Sequence, residues 1–128
     1  MTPLTSEAAI NPTAVATARS DAPSENLLSR VVDMFEALAD PTRARILYAL
    51  RGGELCGRDL AIVVGVSKSA ASHQLRLLRD RRLVKPRRAG NIIYYAADDV
   101  HVSALFREAE YHVDHVRPGL PGHPYPQP

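Results

Sequence analysis

Apolar positions recur along the middle of this chain at helical spacing and break at a few punctuating residues. Leu27, Leu28, Val31, Val32, Phe35 and Leu38 fall on one stripe behind Ser24, a residue type that caps helix N-termini, which predicts a first helix. Asp40-Pro41 predicts the start of a second, with Ile46, Leu47 and Leu50 inward and Gly52-Gly53 ending it. Leu55 to Val64 reads as a short third helix, and Gly65-Val66-Ser67 as a tight turn whose serine caps the next. A fourth helix is expected from Lys68 to about Arg81, burying Ala71, Leu75 and Leu78. Leu83 to Arg88 and Asn91 to Ala96 predict two strands joined at Ala89-Gly90. Asp98-Asp99 opens a last helix to about His115, with Val102, Leu105, Phe106, Ala109, Val113 and Val116 as its stripe, free to be buried against a second copy.

The ends lack such a period. Residues 1–23, rich in Ala, Thr, Ser and Pro, read as a flexible arm, and 118–128, with five prolines, as a flexible tail that cannot continue a helix. The folded part is expected at 24–117. A short helix, a glycine turn and a longer polar helix followed by a hairpin make the fold class mainly α with a small β-hairpin: a winged helix-turn-helix, expected to be dimeric.

Composition sharpens this only through its distribution. The 128 residues carry a net charge of +2. From Ser67 to Tyr95, however, eight basic residues face one acid, Asp80, so this stretch holds +7 and the remainder about −5. One part therefore suits phosphate and another suits cations. A single cysteine, Cys56, excludes an internal disulfide framework. The apolar runs are too short to span a bilayer, and the N-terminus does not read as a secretion signal, so a cytoplasmic protein is expected.

On the fourth helix Lys68, Ser69, Ser72, His73, Gln74, Arg76 and Arg79 are the outward positions, and their hydroxyl, amide and guanidinium groups are the types that reach bases and phosphates in a major groove. Gln74 could pair bidentately with adenine, and Arg76 with guanine or a phosphate. Arg87, Arg88 and Asn91 on the hairpin would reach the backbone or minor groove. A solvated helix face is the usual meaning of such residues, but the one-sided charge continuing into the hairpin argues for double-stranded DNA.

Ala39-Asp40-Pro41-Thr42-Arg43, Glu54-Leu55-Cys56 through Asp59-Leu60-Ala61, Ser72-His73-Gln74-Leu75-Arg76, Leu83-Val84, and Gly90 with Tyr94-Tyr95 resemble the ArsR/SmtB family of metal-responsive repressors, in register over nearly all of 27–116. The resemblance implies a homodimer that represses its own operon and leaves the operator when metal binds.

The last helix carries Asp99, His101, His112 and His115. Eleven residues separate His101 from His112, about three turns, so both project the same way, and His115 follows one turn on. At ~1.5 Å per residue the two pairs lie roughly 16 Å apart, against a coordination sphere only ~4 Å across. One helix cannot close the site, whereas two antiparallel copies can, giving two equivalent sites. A lone exposed histidine ordinarily binds nothing; four donors at this spacing, similar to the family's last-helix sensor site, argue for metal. Two N and O ligands per chain suit tetrahedral Zn(II). The resemblance extends to Ni(II) and Co(II) sensors, which add ligands from a terminus, and here His123 or the N-terminal amine could serve. It also implies coupling from His112 to the backbone carbonyl of His73 in the DNA-reading helix. Cys56 and Asp59 sit where some relatives place a second metal site, but Arg58 occupies the usual second cysteine position, so Cys56 reads as a small hydrophobe. A winged-helix repressor of a non-metal signal is the other alternative. No nucleophile motif or phosphate loop supports an enzyme or a small organic substrate.

Overall fold

In the computed structural model of the protein, residues 7–115 are described. The chain divides into two units, Met1–Asp33 and Met34–Pro128. In the first, α1 (Pro12–Asp21) forms where the sequence predicts a flexible arm. Its cause is local. The Asn11 side chain accepts from the Ala14 N–H at 3.0 Å, and proline occupies the first turn. Because α1 buries no residue, no apolar stripe announces it. Residues 1–6 of that arm and the whole of the tail expected at 118–128 lie outside the described residues. Next comes α2 (Glu25–Leu38), where Ser24 caps as expected by accepting from the Leu27 N–H at 3.1 Å. Its stripe is not inward, however: Leu27, Leu28, Val31, Val32 and Phe35 remain 39% to 51% exposed.

The second unit takes in the last turn of α2 and continues with α3 (Pro41–Ala49), a 3₁₀ turn over Leu50–Gly52, β1 (Leu55–Cys56), α4 (Gly57–Val64), α5 (Lys68–Asp80), β2 (Val84–Ala89), β3 (Ile92–Ala97) and α6 (His101–His115). Asp40 caps α3 and Ser67 caps α5, each accepting at 3.0 Å from the backbone three residues on. Gly65, at φ +74, ends α4 in the left-handed geometry that a side chain resists, and so makes the tight turn into α5. The expected third helix from Leu55 is corrected at its start. Leu55 and Cys56 pair with Tyr95 and Tyr94, adding a third strand in the order β1-β3-β2, and α4 begins only at Gly57. Two residues of unpaired β3 edge outweigh local helix propensity. Ala89 pairs with Ile92, so the hairpin turns on Gly90-Asn91, one residue later than expected, with Gly90 at φ +64.

Every element of the second unit contributes to one core. Ile46, Leu60, Leu75, Leu78 and Val84 are fully buried, with Ala37, Leu47, Leu50, Val64, Leu83 and Val102 around them. Val102 is buried and Phe106 packs against the same cluster, so the stripe of α6 expected to await a second copy is spent partly on its own chain. Val113 stays 59% exposed, and Val116 lies outside the described residues.

Arg43 joins three helices. Its Nε donates to the Ala37 carbonyl at 2.7 Å and Nη2 to the Glu36 carbonyl at 3.2 Å, both in the last turn of α2. Nη1 donates to Gln74 Oε1 on α5 at 3.0 Å. Carbonyls at a helix C-terminus lack helical partners and carry the negative end of its dipole, so a cation there is doubly favoured. Replacing Arg43 with lysine leaves no fork to serve all three acceptors. Arg43→Lys is expected to cost about 2–3 kcal/mol, read as a fall in the midpoint of thermal unfolding at one fixed protein concentration.

At the end of α5, Arg82 sits at φ +58, the one described non-glycine residue in that region. Leu83 N–H closes on the Leu78 carbonyl at 2.9 Å, a helix stop that glycine occupies without strain. Arg82→Gly is therefore expected to raise stability by about 1 kcal/mol, a gain of several degrees in melting temperature. An unchanged or lowered midpoint would show that the arginine side chain contributes more than its backbone costs.

Candidate functional site

On α5 the buried Ala71, Leu75 and Leu78 turn one face to the core and leave Lys68, Ser69, Ser72, His73, Arg76 and Arg79 exposed on the other. Five of these, with Ser67, line a shallow concavity of about 710 Å³. Beside it, a cleft of about 630 Å³ runs between the start of α4, α5 and the hairpin, and takes in Lys68, Ser72, Asn91 and Tyr94. Arg58 and Asp59 line that cleft as well. In the sequence Arg58 reads only as the residue in place of a second cysteine and not as part of this face, because nothing in the chain's period places the start of α4 beside the start of α5; only the turn through Gly65 does so.

Three of the residues expected to read DNA are already engaged. Gln74 is half-buried, and its amide oxygen accepts from Arg43, which removes half of the donor–acceptor pair a bidentate adenine contact requires. Arg79 Nη2 lies 3.6 Å from Asp80 Oδ1 in an exposed ion pair. Arg87 forks onto Glu54, with Nε 2.9 Å from Oε2 and Nη2 3.0 Å from Oε1, and its guanidinium lies 4.9 Å from the centre of the Tyr94 ring. The hydrogen bond from Arg87, and then its charge, hold the Glu54 carboxyl below its ordinary pKa. Arg88 and Asn91 are exposed at the outer end of the hairpin.

The last helix presents two faces. Val102 and Phe106 pack inward, while His101 and His112 are exposed. Asp99 Oδ1 accepts from the His101 N–H at 2.8 Å, capping the start of α6, and lies 3.3 Å from His101 Nδ1. That backbone hydrogen bond, followed by the one from the His101 ring, lowers the Asp99 pKa, so the carboxylate is ionised. Among the described residues no three His, Cys, Asp or Glu side chains converge within one chain, and Asp99 and His101 do not meet His112. Nor does a hydrogen bond join His112 to α5 among the described residues. The side chain of His115 and the whole of His123 lie outside them. Cys56 is half-buried at the junction of β1 and α4, not within a helix.

Residues 40–85, from the cap of α3 to the start of the hairpin, match the model of the arsR family of bacterial regulatory proteins. A transcriptional repressor SmtB homolog of Synechocystis sp. is 51% identical over 84 residues, 66% of this chain and 64% of that protein, so the match spans a little under two thirds of the relative's length. A cadmium resistance regulatory protein CadC homolog of Staphylococcus aureus is 41% identical over 74% of this chain and 78% of its own. Among solved structures, a homodimeric winged helix-turn-helix DNA-binding domain of Mycobacterium bovis superposes with a TM-score of 0.66, at 31% identity, over 74% of this chain and 91% of that one.

The chain belongs to the arsR family.

Membership agrees with the winged helix-turn-helix expected from the sequence and with a transcriptional regulator in place of an enzyme. No helix among the described residues is long and apolar enough to cross a membrane. The basic hairpin of this chain is partly neutralised by its own acid. Glu54→Gln weakens that clasp, frees Arg87 and removes a negative charge from the basic face. Binding to duplex DNA at low salt is expected to strengthen by about two- to fivefold, with a steeper salt dependence by roughly one phosphate contact. Fluorescence anisotropy over a salt series measures both. Because the folded-state pKa of Glu54 is lowered, the clasp holds above the ordinary carboxylate range and is lost as pH falls through that lowered value. In a carboxyl-carbon NMR titration, Glu54 should thus protonate at lower pH than exposed glutamates.

Proposed function

We propose that this arsR-family protein is a repressor that binds operator DNA as a homodimer through α5 and the hairpin. It leaves the operator when Zn(II) occupies two sites shared between the last helices of the two subunits. One observation carries the reading: the Asp99 and His101 donor atoms stand 3.3 Å apart on an exposed face. Two donors bound to one tetrahedral zinc at ~2.0–2.1 Å lie roughly 3.3 Å from each other, so this pair fits half of a coordination sphere once zinc displaces the proton on His101 Nδ1 to solvent. The ionised carboxylate suits a cation. The other half is His112 and His115 of a second copy, because the same chain's pair is roughly 16 Å away. A metal signal accords with a cadmium-resistance regulator among the relatives.

The dimer is supported by the apolar face of α2, whose Leu27, Leu28, Val31, Val32 and Phe35 are exposed in one chain, and by the homodimeric neighbour. DNA contact falls to Lys68, Ser69, Ser72, His73 and Arg76 on α5, with Arg88 and Asn91 on the wing; Gln74, Arg79 and Arg87 act mainly through the contacts they already make. A metal that bridges the last helices selects one spacing of the two subunits. Release follows if that spacing mismatches two half-sites on the duplex.

Operator-bound protein titrated with Zn(II), Ni(II) and Co(II) tests the reading. Zinc is expected to weaken operator binding at least tenfold at fixed salt. Intense visible bands with Co(II) would identify tetrahedral ligation, whereas weak bands would point to six-coordination and to the nickel or cobalt reading, with His123 or the N-terminal amine completing the sphere. His112→Gln should bind operator as the parent does and fail to release it. If none of the three metals releases the operator, the reading fails.

A further inference from the structure

His101 and His112 are exposed on one side of α6, and a different set of residues ties the other side to the body of the molecule. Glu110 is two residues before His112, which places it roughly 160° around the helix, and Phe106 is roughly 140° around from His101. Both meet Tyr48 on α3. The Tyr48 hydroxyl donates to Glu110 Oε2 at 3.1 Å, and its ring centre lies 4.8 Å from that of Phe106. Arg51, in the 3₁₀ turn that follows α3, lies over the same tyrosine ring at 5.1 Å and reaches Glu110 Oε2 at 4.0 Å. One phenol thus receives an aromatic contact, a cation and a carboxylate.

The opposite end of α3 holds Arg43, which grips Gln74 on the DNA-reading helix. Five residues of one helix separate Tyr48 from Arg43, less than two turns. A nine-residue helix capped by Asp40 moves as a unit, so a displacement of its Tyr48 end displaces its Arg43 end. This path needs no hydrogen bond between His112 and α5.

We propose that Tyr48 is the positioning residue that couples the last helix to the DNA-reading helix: through its bond to Glu110 it makes α3 follow α6, and through Arg43 α3 carries α5. The inference rests on the metal-release reading above, and it assigns the intramolecular link that reading leaves open. The hydroxyl is the specific element, because the ring contacts and the long, exposed Arg51–Glu110 pair at 4.0 Å would let α6 slide along α3 while staying packed.

The test measures three quantities for the full-length parent, Tyr48→Phe, Glu110→Gln and Glu110→Leu. These are the operator affinity without metal, the Zn(II) affinity by chelator competition, and the ratio of operator affinities without and with saturating Zn(II). Tyr48→Phe keeps the ring against Phe106 and beneath Arg51. Its metal-free operator affinity and Zn(II) affinity should stay within about twofold of the parent, while the ratio falls roughly three- to tenfold. Glu110→Leu should do the same. Glu110→Gln, whose amide oxygen can still accept from the tyrosine, should retain a ratio near that of the parent. A parental ratio in Tyr48→Phe overturns the coupling, as does a parallel loss of operator and Zn(II) affinity, which would mark Tyr48 as merely structural. A ratio of one in the parent itself overturns the metal reading, and the coupling with it.

Discussion

The guanidinium of Arg43 decides how α5 is held. Its three acceptors lie on two other helices: the Glu36 and Ala37 carbonyls at the end of α2, and the side chain of Gln74 in the middle of α5. Hydrogen bonds from a charged, half-buried donor are stronger than neutral ones, and leaving such a donor or its acceptors unpaired costs more than the bonds themselves gain. The relative placement of α3 and α5 is thus set by a directional polar contact, where apolar packing alone would tolerate sliding. Asp40 completes the arrangement by capping the same helix through the Arg43 N–H, so one residue is held by backbone and side chain together. Gln74 serves the fold with its oxygen, and the polar groups that α5 leaves exposed are chiefly those of Ser72, His73 and Arg76.

The last helix obeys a similar division. Val102 and Phe106 anchor it in the core, and Glu110 reaches Tyr48, while the histidine-bearing side faces outward. In the proposed reading, a helix buried on both sides could not admit an ion, and one free on both sides could not move anything else. The two sides of α6 differ in this way, one packed and one exposed. Its apolar stripe is consequently smaller than it looks in the sequence, and the exposed face of α2 supplies the larger unpartnered surface.

Much of this was legible from residue order. The caps at Ser24, Asp40 and Ser67, the turn at Gly65, and the two strands follow from local chemistry, and each formed within about two residues of its expected place. What escaped was whatever depends on partners distant in sequence. The strand at Leu55-Cys56 exists because β3 has an edge to fill, and no local period records that. Helix α1 escaped for the converse reason: capping and alanine propensity sustain it without a buried face. The site residues divide in the same way. Periodicity put Lys68, Ser72, His73 and Arg76 on one exposed face correctly, but it could not foresee that Arg43 and Glu54, thirty-one and thirty-three residues away in sequence, would claim Gln74 and Arg87. Outward-pointing polar residues look alike in a sequence whether they await DNA or another side chain.

That a basic wing neutralises one of its own arginines has a mechanical explanation. A two-stranded hairpin is marginally stable in water, and a wing that swings freely loses entropy whenever it docks on DNA. Here β1 pairs along one edge of β3, and the Glu54–Arg87 fork ties the segment before β1 to the outer strand β2. Arg87 and Tyr94 are cross-strand partners, so the guanidinium also lies on a ring that is half-buried in its turn. Side chains alternate across a strand, and Arg88 therefore projects from the face opposite to Arg87, away from the acid. The hairpin gives up one charge to fix its direction and keeps the next for solvent and phosphate. A hairpin fixed in this way has less freedom to lose, so docking it on a partner would cost less entropy than docking a free one.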